Sequence, residues 1–261
     1  MKFFNRKLYL VFALSMLAII YSGSYNPSLS QDDTPDDLYE RGVFALRSGK
    51  YIDAIDYLTS YINIVDDNSR AYFNRGAAIY YMSLYDSALT DIDKSIELDK
   101  SFADAYNIRG LIYKNKDQHG KAFADFNTAI KLDPEFAEAY NNRGVVFGEK
   151  GQYSTAVFDF TKAVTFNPDY TEAYYNRGYM YLQMEDYTNA IASFNQAIQR
   201  DSSIALFFVN RGLAYYAIQS YEKAISDLEY ALSLDDRYEQ TVRKFITSSN
   251  EILEEKKKGK K

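Results

Sequence analysis

The side chains that could perform acid–base, nucleophilic or metal chemistry are few and isolated in this sequence. It contains one histidine, His119, and no cysteine, which excludes disulfides, thiolate metal sites and a cysteine nucleophile. A single imidazole lacks the partners that a metal site needs. The sequence has no glycine-rich phosphate loop and no nucleophile-elbow pattern. We therefore predict no catalytic residue, no metal site and no cofactor, and we interpret His119 as a turn residue.

Other polar residues recur at a fixed spacing instead. An arginine followed by glycine returns every 34 residues, at Arg41, Arg75, Arg109, Arg143, Arg177 and Arg211. Asparagine precedes four of these arginines, as Asn74, Asn142, Asn176 and Asn210. An amide both donates and accepts hydrogen bonds, so a row of asparagines can pair with the backbone of an extended peptide.

An arginine on an otherwise apolar helix face needs a partner, because an unpaired buried charge is costly. An aspartate stands sixteen residues after four of the arginines. We predict the ion pairs Arg75–Asp91, Arg109–Asp125, Arg143–Asp159 and Arg211–Asp227. Ser193 and Tyr57 replace the aspartate in the other two repeats, so Arg177 and Arg41 are expected to bond elsewhere. The alternative is a stripe of arginines that binds acidic ligands.

The elements that position these residues are helical hairpins. Alanine recurs every 34 residues in phase with the arginine, from Ala54 to Ala224, which defines six units over 35–238. In the unit 103–136, helical spacing predicts one helix over about 104–116 and a second that Pro134 ends. We expect the glycine at position 8 of each unit to let the two helices approach, with the alanine at position 20 opposite. The tyrosine and phenylalanine stripes are predicted to be core, packed between stacked hairpins.

These columns resemble the tetratricopeptide repeat (TPR), whose pattern has an aromatic at position 4, glycine or alanine at 8, alanine at 20 and phenylalanine at 24. The closest type is the exported bacterial one with Asn-Arg-Gly repeats. The resemblance implies an all-α, right-handed superhelical solenoid of six helical hairpins with a C-terminal capping helix. The predicted divisions are 31–34 as a linker, repeats at 35–68, 69–102, 103–136, 137–170, 171–204 and 205–238, a cap at 239–255 and a basic tail at 256–261.

The resemblance also implies a binding groove lined by the first helix of each hairpin. The candidate partner-binding residues are Tyr39, Phe73, Asn74, Asn107, Asn142, Tyr175, Asn176, Tyr179 and Asn210. Acidic residues at position 2, among them Asp104, Glu138 and Glu172, predict a ligand that is a neutral or basic protein segment. The lysine and asparagine that grip a C-terminal carboxylate in chaperone-binding TPR proteins are missing here.

The charge distribution and the first thirty residues suggest where the protein works. Net charge is −6, and without the eight basic residues of the two ends the body has 22 basic against 36 acidic residues. Such a body repels phosphate backbones, so we predict no nucleic-acid partner. Residues 1–30 combine three basic residues, an apolar run and small residues before Gln31, which is typical of a secretory signal peptide. An uncleaved membrane anchor over residues 8–25 is the alternative.

The predicted function is therefore that of an exported adaptor in the periplasm or cell envelope, holding a partner protein or peptide in its groove. Membrane contact is expected only if the N-terminal segment stays uncleaved. The second hypothesis is a structural component that self-associates, or is membrane-anchored, within an envelope complex. An enzyme is the third and weakest hypothesis, since almost no chain lies outside the repeats.

Overall fold

The computed structural model describes residues 33–258, which contain α-helices, one short 3-10 helix and no strand. The first helices of the hairpins are α1 (Pro35–Arg47), α3 (Ser69–Tyr81), α5 (Ala103–Asn115), α7 (Ala137–Glu149), α9 (Thr171–Gln183) and α11 (Ala205–Ala217). The second helices are α2 (Tyr51–Ile62), α4 (Tyr85–Leu98), α6 (His119–Leu132), α8 (Tyr153–Phe166), α10 (Tyr187–Arg200) and α12 (Tyr221–Leu234). The 3-10 helix (Asp236–Tyr238) and α13 (Glu239–Lys258) follow. The prediction of an all-α protein built from consecutive hairpins is confirmed.

The chain divides into two compact units, residues 1–112 and 113–261, with the boundary inside α5. In the first unit α1 packs on α2 and α3 on α4, while α2 also packs on α3. The second unit repeats this alternation from α7 to α12. No helix in the described range is both long and apolar enough to cross a membrane. The predicted signal peptide or anchor (1–30) and the last three residues of the predicted basic tail lie outside the described residues.

The turn inside each hairpin depends on one residue with a left-handed backbone, at position 15. Its φ is positive in all six repeats, at Gly49, Ser83, Asp117, Gly151, Glu185 and Gln219. The left-handed region costs a non-glycine residue about 1–2 kcal/mol. In return the chain closes the helix end, as when the backbone N–H of Ser83 donates to the carbonyl of Tyr80 at 2.8 Å. The first helix therefore ends at the same position whatever residue occupies the turn.

The glycine at position 8 makes room for the side chain at position 24. A Cβ added to Gly144 would lie 2.8 Å from Cε1 of Phe160, and one added to Gly178 would lie 2.7 Å from the same atom of Phe194. Leu58, Ile92 and Leu228 are the corresponding nearest neighbours of the glycines in repeats 1, 2 and 6. The closest contact of the glycine is therefore with position 24, and the expectation that the alanine at position 20 also faces it stays a prediction. These alanines are fully buried, but the close contact belongs to position 24.

The last helix covers the end of the second unit, as the prediction of a capping helix required. Val242 and Ile246 on α13 are buried in one apolar cluster with Leu228. Phe245 meets the ring of Tyr216 edge-on at 5.1 Å. The helix continues to Lys258, so the first three lysines of the predicted tail are helical. Lysines in a last turn are favourable because they face the negative end of the helix dipole.

The arginine at position 7 ties three helices together. Arg143 donates two bonds of 2.7 Å to the carboxylate of Asp159, on the second helix of its own repeat. Its third bond, 2.6 Å long, goes to Oδ1 of Asn127 in the preceding repeat. The same arrangement joins Arg75 to Asp91 and Thr59, and Arg211 to Asp227 and Asn195. Three of the four predicted ion pairs are therefore confirmed, which supports the structural interpretation of the arginine stripe.

The remaining arginines show how this arrangement varies. Arg109 donates to Asp93 at 2.7 Å within the first unit, while the Arg109–Asp125 pair would join the two units and stays a prediction. Arg41 pairs with Asp33, next to the N-cap of α1. Arg177 was expected to bond away from Ser193, and this is wrong, because its Nε donates to the Ser193 hydroxyl at 3.2 Å. No acidic residue within 33–258 forms a salt bridge with Arg177.

The electrostatic cost of this burial is visible in the pKa values. Burial raises the pKa of Asp159, and the bonds from Arg143 only partly oppose that change. At Arg211, burial acts to lower the pKa, but the bonds and charge of Asp227 outweigh it and raise the pKa. Arg177 has no such carboxylate, and burial lowers its pKa. The ion pairs therefore mainly offset the cost of burying the arginine.

We predict that Gly144→Ala destabilises the protein. The added methyl would overlap the Phe160 ring, a strain of about 1–3 kcal/mol, which exceeds the helix-propensity gain of roughly 0.5–1 kcal/mol. The control is Gly120→Ala in α6, where nothing lies within 4 Å of an added Cβ, so the propensity gain should appear alone. Urea unfolding followed by circular dichroism measures both. Equal stabilisation by the two substitutions would contradict the packing argument.

We expect Asp159→Asn to destabilise the protein by about 3 kcal/mol, because it leaves the guanidinium of Arg143 without its counter-charge. The Asp159 side chain is 1% exposed, so water cannot take its place. The matched acid-to-amide control is Glu254→Gln, which removes an exposed pair with Lys257 and should leave the unfolding midpoint unchanged. If both variants unfold at the wild-type midpoint, the arginine pairs are not structural.

Conversely, Ser193→Asp should stabilise the protein by about 1 kcal/mol by giving Arg177 the carboxylate found in other repeats. For a chain of this size the melting temperature should rise by about 2–4 °C, as measured by differential scanning calorimetry. Arg177→Met with Ser193→Asp tests the cause, because it leaves the new carboxylate unpaired and should be less stable than wild type. A stabilisation that persists in this double variant would refute the pairing argument.

Candidate partner-binding grooves

Pairing of the two helices of a hairpin buries one side of the first helix and leaves the opposite side open. At 3.6 residues per turn, positions 2, 6, 9 and 13 lie roughly 100–160° around the first helix from position 8, with position 5 between them and position 8. Side chains at these positions line a cavity in each of the two compact units.

The cavity of the first unit, of about 660 Å³, lies along α1 and α3. Three predicted binding residues line it: Tyr39, Phe73 and Asn74. Tyr39 and Phe73 are half-buried, with their rings 5.2 Å from Tyr61 and 4.8 Å from Phe102. The charged residues in the lining are Glu40, Arg47, Arg70 and Asp104. This groove thus carries charges of both signs, in contrast to the acidic groove that position 2 suggested.

The cavity of the second unit, of about 310 Å³, lies between α7 and α9. Asn176 and Tyr179, two more of the predicted binding residues, line it together with Val145 and Met180. Tyr179 is 39% exposed, whereas Met180 is buried at the back. The charged residue of the lining is Glu149, whose carboxylate lies 3.5 Å from Nδ1 of His119. An apolar recess with an exposed phenol at its mouth is suited to an apolar side chain of a partner.

The predicted asparagines also tie consecutive repeats together. The side-chain amide of Asn176 donates to Oδ1 of Asn141 at 3.0 Å, and that of Asn210 donates to the Tyr175 hydroxyl at the same distance. Asn74 donates to the Tyr39 hydroxyl at 3.3 Å. Each bond spans 35 residues, from position 6 of one repeat to position 5 of the preceding one. One N–H of the amide is used in this way, which leaves the second N–H and the carbonyl of Asn176 for a ligand.

Tyr175 belongs to the packing behind the groove. Its ring stacks on Phe207 at 5.1 Å and on Tyr179 at 6.3 Å. Burial, helped by the nearby Tyr179, raises the pKa of Tyr175 to about 12, so its hydroxyl stays neutral at physiological pH. The ring of Tyr175 thus packs against the ring of Tyr179. Asn107 and Asn210 are also buried, at 6% and 7% exposure, so they contribute little surface.

Sequence reasoning missed several groove residues, of which Phe44 is the clearest. This residue at position 10 lines the first cavity and is 69% exposed. Its equivalents are buried, among them Ala78 and Val146 at 0% exposure. In the described chain no repeat precedes the first, so nothing covers position 10 there. The sequence contained a signal for this difference, because position 10 is aromatic in the first repeat and small or aliphatic in the others.

No group of three or more histidine, cysteine or acidic residues within residues 33–258 could hold a metal ion. His119 and Glu149 are 39% and 46% exposed, and they meet on the surface.

Comparison with known families and structures agrees with this architecture. Residues 137–170 and 171–203 match a family model described as tetratricopeptide repeat, and residues 205–238 match another of the same description. Residues 110–151 match a TPR repeat model. A search of curated proteins found no match.

Several solved structures share the fold. YrrB, named as a TPR protein with an unusual peptide-binding site, is 26% identical with a TM-score of 0.57, over 69% of this chain and 92% of its own. PilW, named as a widely conserved type IV pilus biogenesis factor, is 16% identical with a TM-score of 0.70, over 83% and 99%. The APC/C hetero-tetramer Cut9–Hcn1 is 17% identical with a TM-score of 0.73, over 94% of this chain and 46% of that one.

Three of the matched ranges, 137–170, 171–203 and 205–238, each contain one helical hairpin of the structure. Residues 110–203 and 205–238 of this protein are tetratricopeptide repeats.

Proposed function

We propose that this protein is an exported adaptor that holds a neutral or basic segment of a partner protein against the open faces of its first helices. The observation that carries the proposal is the groove between α7 and α9. An exposed tyrosine, Tyr179, stands there over an apolar recess. Aromatic anchors over desolvated recesses are typical centres of binding energy in protein interfaces.

The asparagines support the same proposal. In the second unit, Asn176 borders the recess and keeps its carbonyl and one N–H for a ligand. An extended peptide exposes its own N–H and C=O groups at regular intervals, and an amide can pair with both. We extend the pairing of amide with peptide backbone to Asn74 at the first groove and, as predicted from the sequence, to Asn142 on α7.

Charge and the N-terminal sequence support the choice of partner and compartment. With 36 acidic against 22 basic residues in its body, the protein attracts basic segments more readily than acidic ones. The basic and apolar order of residues 1–30 supports export to the periplasm or cell envelope, by cleavage or as an anchor. The similarity to PilW, a pilus biogenesis factor, is consistent with an envelope role but shows only the fold.

Self-association is the second candidate function, and one observation favours it. Phe44 is 69% exposed at the first repeat, at a position that other repeats bury against their neighbour. A second copy of the chain would cover this ring if the protein assembles through its N-terminal edge. By contrast, α13 already covers the apolar cluster at the other end.

Site-specific photocrosslinking tests the adaptor proposal. A photoreactive phenylalanine analogue replaces Tyr179 in the groove or, as a matched control, Phe158, an aromatic on α8 that is 58% exposed and outside the groove lining. In the native envelope we expect a discrete adduct with another protein from position 179 only. The same adduct should form at least tenfold less when a photoreactive residue at position 176 is combined with Tyr179→Ala, because a hot-spot aromatic contributes about 2 kcal/mol or more.

Three outcomes of the crosslinking experiment are informative. Equal labelling from positions 179 and 158, or no adduct from either, contradicts the adaptor proposal. An adduct at position 179 that contains only a second copy of this chain favours self-association. A discrete heterologous adduct at position 179 supports the adaptor.

A further inference from the structure

The helices α7 and α9 together form what we call the α7–α9 wall, and the apolar recess lies towards their C-terminal ends. A pair of carboxylates stands at the N-terminal end of this wall. Glu138 lies in the first turn of α7 and Glu172 in the first turn of α9, and both are exposed. Burial raises the pKa of Tyr170, and the charges of both glutamates add to that rise. Acids in a first turn favour the helix dipole. At 3.6 residues per turn, positions 2, 6 and 9 also share one face of a first helix, so each carboxylate lies on the helix face that borders the recess.

These carboxylates have no cationic partner in the described chain. Every salt bridge formed within residues 33–258 involves other acids, whereas Asp159, Asp227 and Asp91 are saturated by arginine. A cation bound beside two unpaired carboxylates is attracted by both of them. The wall therefore carries a negative site that is complementary to lysine or arginine.

Polar groups connect the carboxylates to the apolar recess. Asn141, which is 1% exposed, accepts a bond from Asn176. Asn176 in turn borders the recess under Tyr179. From the N-terminal to the C-terminal end of the α7–α9 wall, the carboxylates are thus followed by the amides and then by the apolar recess.

The spacing of these features sets the geometry of a ligand. Glu138 and Val145 are seven residues apart on α7, as are Glu172 and Tyr179 on α9, which corresponds to about 10 Å along each helix. A polyproline II helix rises about 3.1 Å per residue and has three residues per turn. Residues three apart in such a segment lie on the same side, about 9 Å from each other. Its backbone has no internal hydrogen bonds and is free to pair with an amide.

We propose that the α7–α9 wall binds a polyproline-II segment of a partner protein that carries lysine or arginine three residues from a large apolar residue. The basic side chain lies between Glu138 and Glu172, and the apolar side chain enters the recess beside Val145 and Tyr179. Asn176 pairs with the backbone between them. This inference rests on the proposed groove function and specifies the chemistry of its ligand.

Fluorescence anisotropy with labelled synthetic peptides tests the motif on the protein lacking residues 1–30. Three proline-containing twelve-residue peptides serve as probes: lysine and leucine three apart, the same two residues five apart, and glutamate with leucine three apart. We expect the first peptide to bind about tenfold more tightly than the other two. The advantage over the glutamate peptide should shrink as salt rises, because exposed charges are screened.

Two double variants with the same change of net charge identify the carboxylates. Glu138→Gln with Glu172→Gln should remove the preference for lysine over glutamate and leave the leucine preference intact. Glu222→Gln with Glu229→Gln, on α12, should change neither. Tyr179→Ala should weaken all three peptides about tenfold or more, since the recess is common to them.

The outcomes separate this inference from the proposed function. If lysine and glutamate peptides bind equally and Tyr179→Ala weakens both, the groove binds peptides and the basic motif is wrong. If spacing of five is preferred, the polyproline-II geometry is wrong. If no peptide binds although position 179 gives a heterologous crosslink, the short motif is refuted and the adaptor function stands. Failure of both experiments overturns both proposals.

Discussion

The architecture depends on how closely position 8 of one helix approaches position 24 of the next. The rings of Phe160 and Phe194 lie within 2.8 Å of the place that a Cβ on Gly144 or Gly178 would occupy. Each aromatic ring therefore packs directly on helical backbone. The packing places a large buried side chain at the centre of the hairpin, at a cost of roughly 0.5–1 kcal/mol for each mid-helix glycine. Because the same contact recurs in the five repeats with a described glycine neighbour, their hairpins share one interhelical geometry. The open faces of the first helices follow from that geometry.

The arginine at position 7 shows how a polar residue can serve the same packing. Arg143 reaches Asp159 in its own repeat and Asn127 in the preceding one, so a single side chain fixes the position of three helices. Burial raises the pKa of Asp159 even beside the guanidinium, which indicates that desolvation consumes much of the attraction. What the ion pair still contributes is the directionality of its hydrogen bonds. The pair favours one register between neighbouring repeats over others, a specificity that apolar contacts of the same volume would not provide.

The repeat number, the helical class and most arginine pairs were predictable because identical columns recur in phase every 34 residues. The turn geometry was not, because Ser83, Glu185 and Gln219 adopt a left-handed φ that their residue types do not favour. The contact between the glycine and position 24 was not predicted, since periodicity gives the face of a helix but not which turn of the partner lies closest to it. The second role of Asn74, Asn176 and Asn210 was also invisible. It depends on a contact 35 residues away, one beyond the repeat period, with a tyrosine or asparagine of the preceding repeat.

The two roles of the asparagines are compatible because a side-chain amide has more bonding capacity than one contact uses. A donor committed to Asn141 fixes the rotamer of Asn176, so its carbonyl and remaining N–H are held in place before a ligand arrives. Fixing a polar side chain in advance lowers the entropy lost on binding. Tyr179 benefits in the same way, since the half-buried ring of Tyr175 stacks on it. If Asn176 binds a ligand as proposed, the repeat-to-repeat bonds of the second unit therefore also preorganise its groove.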